Sequence, residues 1–255
     1  MMVTTPPIQA AGDWIVPDWP APPNVKALFT TRNGGSGSGP YASLNLAAHV
    51  GDDPLTVTRN RLVLRHFLPS EPKWLKQVHG THPVPIDDPA CVPCGADASF
   101  SRRTGNVCAI LVADCLPILL SDRAGTLVGE IHAGWRGLAD GVIEQTLSQI
   151  GAESASLMAW LGPAIGPDHF EVGEEVRHAF VKHDPNAAQA FAEHGRDPGK
   201  WLADLFLLAR QRLTKAGIHE IYGGGHCTFC DTERFFSYRR DGVTGRMAGL
   251  IWLAG

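Results

Sequence analysis

The stretch from Val107 to Leu120 (VCAILVADCLPILL) constrains the chain more than any other. It is apolar almost throughout, but Asp114 and Pro117 interrupt it, and it is shorter than the ~18 residues of a membrane span. It reads as two β-rich runs, Asn106–Val112 and Leu116–Leu120, on either side of an Asp114–Cys115 step. Further apolar runs follow at Thr126–His132 and Ser156–Leu161, and the second leads into Gly162-Pro163. Other strands are expected at Val25–Thr31, Lys73–His79, Glu220–Gly224, Phe235–Tyr238 and Met247–Leu253. Helices are expected at Asp53–Leu68, about Leu138–Ile150, Glu174–Val181 and Trp201–Ala216. Strands and helices mix without strict alternation, and no linker or repeat is visible. The expectation is an α/β chain of mixed α+β character: an irregular lead-in over 1–24, then one compact domain over 25–255, with a polar helical insertion or excursion at Lys182–Lys200.

A chain of 255 residues buries a large core without covalent staples. Its 22 basic and 26 acidic residues leave a net charge of −4, so no bulk positive field exists to hold nucleic acid or an anionic membrane. An anion site has to be a local cluster. Met1–Ala10 has neither Lys or Arg nor an apolar core, so no secretory signal is expected, and the six cysteines read as thiols of a reducing cytosol. Two Cys-x-x-Cys pairs occur, Cys91–Cys94 and Cys227–Cys230. They form either a Zn(Cys)4 site across an unusually long gap, or a coincidence or local redox liability.

His79, Cys115 and His132 each stand at the end of an apolar run beside small or turn-forming residues. Two imidazoles and a thiolate match a catalytic zinc set that leaves a fourth position open. No short motif specifies the trio, and core histidines with a buried thiol are the plain alternative. Cys115 with His132 also permits a metal-free nucleophile and base. The glycine-rich loop Gly34–Gly39 fits neither the P-loop nor the dinucleotide fingerprint. Arg32 beside its backbone amides offers an anion grip. Arg239, Arg240 and the nearby Arg246 form either an anion-binding corner or a solvated turn.

Several blocks, in order, carry a resemblance. They are Phe29-Thr30-Thr31-Arg32-Asn33-Gly34-Gly35, Ser43-Leu44-Asn45-Leu46, His49-Val50-Gly51-Asp52-Asp53 and Gln77-Val78-His79-Gly80. Ala113-Asp114-Cys115-Leu116-Pro117, His132-Ala133-Gly134-Trp135-Arg136-Gly137 and Gly162-Pro163-Ala164-Ile165-Gly166-Pro167 follow. Phe170-Glu171-Val172-Gly173, Phe235 to Gly242 and Gly245-Arg246-Met247-Ala248 complete the series. The sequence thereby resembles the bacterial laccase-domain (YfiH-like) family, whose members go by the names polyphenol oxidase, peptidoglycan editing factor and purine nucleoside phosphorylase. The pair Cys91–Cys94 departs from that pattern.

The resemblance implies a single mixed α/β domain with zinc on His79, Cys115 and His132. It implies phosphorolysis of adenosine, inosine, guanosine and methylthioadenosine, and deamination of adenosine. The fold is also similar to that of a toxin deamidase with a Cys–His pair, which keeps a metal-independent hydrolase acting on cell-wall precursors in view. On this reading Cys115, His132 and Asp114 are catalytic, with Asp114 orienting a ligand or handling a proton. Arg32, Arg136, Arg239 and Arg240 supply the phosphate grip. Substrates are small molecules, with no nucleic acid and no membrane as partner. Copper chemistry is disfavoured, because none of the eleven histidines forms a His-x-His pair. Adventitious Cu2+ remains compatible with an N/S donor set.

Overall fold

The structure is a computed structural model that describes residues 12–88, 95–193 and 199–255. The strands are β1 Val25–Phe29, β2 Lys73–Trp74, β3 Pro83–Pro85, β4 Ala98–Ser101, β5 Val107–Val112, β6 Leu116–Asp122 and β7 Val128–Ala133, then β8 Leu157–Leu161, β9 Glu171–Gly173, β10 Phe191–Glu193, β11 Lys200–Ala203, β12 Glu220–Gly223 and β13 Met247–Leu253. The helices are α1 Pro54–Arg65, α2 Trp135–Asp140, α3 Val142–Ile150, α4 Glu174–Val181, α5 Leu205–Lys215 and α6 Tyr238–Asp241.

Three mixed sheets form, with strand orders β1-β13-β5-β2, β12-β8-β6-β7-β4-β3 and β10-β11-β9. Side chains alternate across a strand, and here both faces of the central strands are covered. Along β5, Cys108, Ile110 and Val112 enter one core, shared with Ile251 of neighbouring β13 and with Leu119 and Val128 of the facing sheet. Val107, Ala109 and Leu111 enter another, with Leu64 of α1 and Trp252. On the far side of the six-stranded sheet, Leu116, Ile118 and Leu120 meet Val142, Ile143 and Leu147 of α3 and Leu208 of α5. The layering is helix, sheet, sheet, helix, which explains why β5, β6 and β13 read as unbroken apolar runs.

Local chemistry sets the helix ends. Asp53 caps α1 by accepting from Thr56 N at 2.9 Å, with Pro54 in the first turn. Asp204 caps α5 by accepting from Leu207 N at 2.9 Å. Four expectations change. The helix expected at Leu138–Ile150 is two helices, because Gly141 at φ +101° ends α2 and starts α3. The helix expected from Trp201 opens as strand β11, since Trp201 pairs with Val172 and Glu193, and helix begins only after the Asp204 cap. Phe235–Tyr238 is no strand: Phe235 and Phe236 are buried plugs, and α6 starts at Tyr238 under a Ser237 cap. The strand expected through His79 stops at Trp74, because the chain turns at His79 with φ +59°. The Lys182–Lys200 stretch holds a 3-10 turn at Pro185–Ala190 and strand β10, as far as it is described.

Candidate functional site

The site forms where β5, β6 and β7 end at one rim. Between β5 and β6 the chain reverses through Asp114 at φ +86°, an uncommon conformation for a residue with a side chain. The turn is held by the Asp114 carboxylate. Its Oδ1 accepts from Thr228 Oγ1 at 2.6 Å, and its Oδ2 from Ser237 Oγ at 3.0 Å and Arg239 N at 2.7 Å. Ile165 N donates to the Asp114 carbonyl at 3.0 Å. Asp114 therefore positions Cys115 and staples three loops around it.

His132 lies near the end of β7 and is buried. Its Nδ1 donates to Asp97 Oδ1 at 2.8 Å, which leaves Nε2 for the cluster. The same carboxylate accepts from the backbone N–H groups of Val78 at 3.2 Å, His79 at 2.9 Å and Gly80 at 2.7 Å. One buried aspartate thus sets the ring of one histidine and the loop that carries the other. Sequence reading missed Asp97. Its only signal was a lone acidic residue among the small and apolar residues of Gly95-Ala96-Asp97-Ala98.

The donor atoms of His79, Cys115 and His132 all lie within 4.8 Å of one another, and Cys115 Sγ is 3.8 Å from His79 Nε2. The imidazole rings meet edge to face at 4.8 Å. Among the described residues this is the one group of three such ligands. Gly134 keeps it open, because a Cβ there would sit 3.0 Å from His79 Cδ2 and 3.1 Å from Cys115 Sγ. Two imidazoles and a thiol gathered this closely are a donor set that could hold a metal ion, and the aspartate behind His132 is the usual partner of a ligating histidine.

Electrostatics agree with a thiolate. Burial raises the Cys115 pKa, but the His132 charge and hydrogen bonds from both histidines outweigh it and bring the thiol to about 6. Burial works against a charged His132, yet the Cys115 thiolate and Asp97 raise it to about 9. Without metal the two groups form a thiolate–imidazolium pair.

The arginines are placed unevenly. Arg240 spends its guanidinium on the carbonyls of Thr228, Phe229 and Phe235 and on Asp241. Arg32 donates to the carbonyls of Ala42 and Thr232 and lies over Phe236. Arg239 donates from Nη1 to the Glu171 carbonyl and lies over Phe170. Arg136 is exposed at the start of α2, two residues after Gly134. Arg246 donates from Nη1 to the carbonyls of Thr244 and Gly245 at 2.9 Å and lies over Tyr238. Burial lowers its pKa, and the charges that oppose this most are Cys115 and Asp114. The glycine loop offers no free amide cradle at its start: Gly35 N and Gly37 N bond Ser43, and Ser36 N bonds Asn60. Cys91–Cys94 lies outside the described residues, and Cys227 and Cys230 are free thiols. Among the described residues no helix is long and apolar enough to cross a membrane.

A layered α/β chain with a His–Cys–His cluster at its strand ends defines a class that known proteins share. The chain belongs to the family described as multi-copper polyphenol oxidoreductase laccase, whose model matches residues 26–254. It is 52% identical over 241 residues to the purine nucleoside phosphorylase YfiH of Escherichia coli, covering 94% of this chain and 98% of that one. It is 45% identical over 240 residues to the purine nucleoside phosphorylase of Haemophilus influenzae, covering 93% and 98%. Its fold matches the crystal structure of a Neisseria meningitidis protein of the DUF152 family with a TM-score of 0.91 at 49% identity, over 95% of this chain and all of that one. YlmD of Geobacillus stearothermophilus matches with a TM-score of 0.83 at 32% identity, over 91% of this chain and 93% of that one.

Proposed function

We propose that this chain is a zinc-dependent purine nucleoside phosphorylase of the cytosol, acting on adenosine, inosine, guanosine and methylthioadenosine, with adenosine deamination as a second activity of the same site. The observation that carries this reading is the His79–Cys115–His132 cluster wired to Asp97, in a chain whose relatives bear the phosphorylase name. His79, Cys115 and His132 would hold the ion, which supplies Lewis acidity where negative charge develops.

The protein's own groups carry the rest. Phosphorolysis forms a bond from a phosphate oxygen to the anomeric carbon and breaks the bond to the purine nitrogen, whose electron pair leaves with the base. Phosphate needs a fixed positive partner in a chain of net charge −4. Arg246 is assigned that role, because its half-buried charge interacts with those of Cys115 and Asp114. Arg136 and Arg239 stand at the rim as further contacts, while Arg32 and Arg240 act by holding the loops that frame the pocket. Asp114 acts as a positioning residue, since its carboxylate is filled by three donors.

The test is phosphate-dependent base release from inosine and adenosine, with zinc and copper measured on the same samples. Wild type is expected to turn over with about one zinc per chain, and Cys115→Ala to lose both metal and turnover. Arg246→Met is expected to raise KM for phosphate while keeping its zinc. Full activity in metal-free protein overturns the reading. A second reading, a metal-independent Cys–His hydrolase of cell-wall precursors, draws on the thiolate–imidazolium pair. It requires activity that survives chelation but not thiol alkylation.

A further inference from the structure

Cys227 and Cys230 take no part in the site above, yet their surroundings are specific. Cys227 lies on a short bridge to Ala164, and the chain then coils through Thr228, Phe229 and Cys230, with Asp231 N returning to the Cys227 carbonyl at 3.1 Å. Cys227 Sγ accepts two backbone N–H groups, from Gly166 and from Cys230, each at 3.3 Å. Gly166 eases this approach, since a Cβ there would lie 3.1 Å from the sulfur and push it back by a few tenths of an ångström. Two backbone amides therefore aim at one sulfur, which also faces an open cavity. The Cys230 thiol is held up at about 11, first by its hydrogen bond to Cys227, with burial and the nearby Asp168 and Asp231 charges adding to this. Cys230 is exposed. Cys227 opens on a cavity of about 400 Å³ that Pro167, Arg210 and His226 also line.

The turn between the two sulfurs is tied to the metal-ligand cluster. Thr228 is fully buried, and its hydroxyl donates to Asp114 Oδ1 at 2.6 Å, one residue before Cys115. The carbonyls of Thr228 and Phe229 both accept from Arg240 at 2.9 Å. Phe229 stacks on His169 at 4.3 Å.

We propose that Cys227 and Cys230 are a reversible dithiol–disulfide pair, with Cys227 the attacking sulfur, and that the redox state of the pair reaches Cys115 through Thr228 and Asp114. The co-reactant is a low-molecular-weight disulfide of the glutathione type. The Cys227 thiolate attacks one of its sulfurs; that disulfide bond breaks, and the leaving thiolate takes a proton from water. Cys230 then gives up its proton and attacks the Cys227 sulfur, releasing the second thiol, which carries a proton away. The protein dithiol loses two electrons and two protons overall, and one disulfide is reduced to two thiols. Once oxidised, Cys227 no longer presents an anionic acceptor to Gly166 N and Cys230 N. The turn repacks, and Thr228 is the residue inside it that holds Asp114. The coupling rests on the zinc site proposed above but not on phosphorolysis, and the peptide-mass readout of the thiol pair needs neither.

The full-length zinc-loaded protein is equilibrated across ratios of reduced to oxidised glutathione, quenched by alkylation and mapped by peptide mass. A Cys227–Cys230 linked peptide is expected, with its midpoint inside the range a glutathione buffer spans. Cys230→Ser is expected to trap a mixed disulfide on Cys227, at least about tenfold more than Cys227→Ser traps on Cys230. Absence of the linked peptide, or adducts at Cys230 in preference to Cys227, overturns the pair. Competition with a chromogenic chelator then reads zinc affinity. Oxidised and reduced wild type are expected to differ at least about threefold, and Thr228→Val to lose that difference. Equal affinities in the two wild-type states overturn the coupling.

Discussion

Two buried carboxylates on neighbouring strand segments of one sheet have opposite fates. Asp97 lies at the start of β4, at the rim, and Glu130 lies in the middle of β7; both have no exposed surface. Asp97 accepts from three backbone amides and from His132. Burial pushes its pKa up, but the His132 and Gly80 hydrogen bonds outweigh this and keep it below the ordinary carboxylate range. Neither Glu130 oxygen has a hydrogen-bond partner of good geometry, and Ile110 N–H offsets its burial only in part, so its pKa rises well above the ordinary value. Glu130 is a carboxyl without hydrogen-bond partners pressed between two sheets, with Gly249 leaving the space it occupies. Burial alone therefore does not decide what a carboxylate does. The number of donors aimed at it does, and donors are free where strands end and consumed where they pair.

Asp97→Asn should show the largest effect. It removes the anion while keeping the shape, and leaves a buried amide facing three N–H groups. A stability loss of about 3 kcal/mol at neutral pH is expected, read as a fall in denaturation midpoint, with zinc affinity about 10- to 100-fold weaker. The pH trend has a definite sign. A carboxylate whose folded pKa is depressed contributes fully above its unfolded value of 3.8, and this is lost as pH falls through the folded value. The gap between wild type and variant should therefore close in acid. A constant gap would show that packing, not charge, is at work.

Gly249→Ala comes next. The added methyl would lie 2.0 Å from Glu130 Oε1, so a loss of about 2 kcal/mol is expected. In Glu130→Ala the same change should cost far less, and additive costs in a double-mutant cycle would break the assignment of that space to Glu130.

Glu130→Gln should have the opposite sign and the smallest effect in acid. A folded pKa raised above the unfolded value of 4.5 gives a contribution that is fully present below that value and is lost as pH rises. The variant should match wild type near pH 4 and gain on it as pH rises toward 8, by up to about 1.4 kcal/mol for each pH unit over which the unfolded carboxyl alone is ionised. Thermal melts at both values check this, and a variant that is less stable at pH 8 would mean Glu130 is ionised and held by a partner.

The strands were legible because three covered faces require unbroken apolar runs, as along β5 and β13. The helix α1 was legible from Asp53 and Pro54 at its start. The Gly141 break and the strand at Trp201 were not, because an αL glycine inside an apolar pattern and a strand paired to a distant edge leave no periodic trace. His79, Cys115 and His132 stood out by residue type at the ends of apolar runs. Asp97 did not, because its role lies in donors from residues 78–80 and 132, which only the folded chain brings to it. The arginines were legible as charges but not as roles. Arg240 read in sequence as an anion-binding corner or a solvated turn and proves to be spent on three carbonyls, while the charge of Arg246 interacts with those of Cys115 and Asp114.

The sequence by itself determined the layered α/β class, the absence of a bulk positive field and the three candidate ligands, because apolar pattern, charge and donor chemistry are carried by residue type. Tertiary structure decided which aspartate orients a ligand, which arginine's charge interacts with the cluster and that Thr228 ties a distant thiol pair to Cys115. Those are matters of which hydrogen-bond groups meet across long stretches of chain. Such meetings are settled by strand pairing and loop closure, and neither is written in the local order of residues.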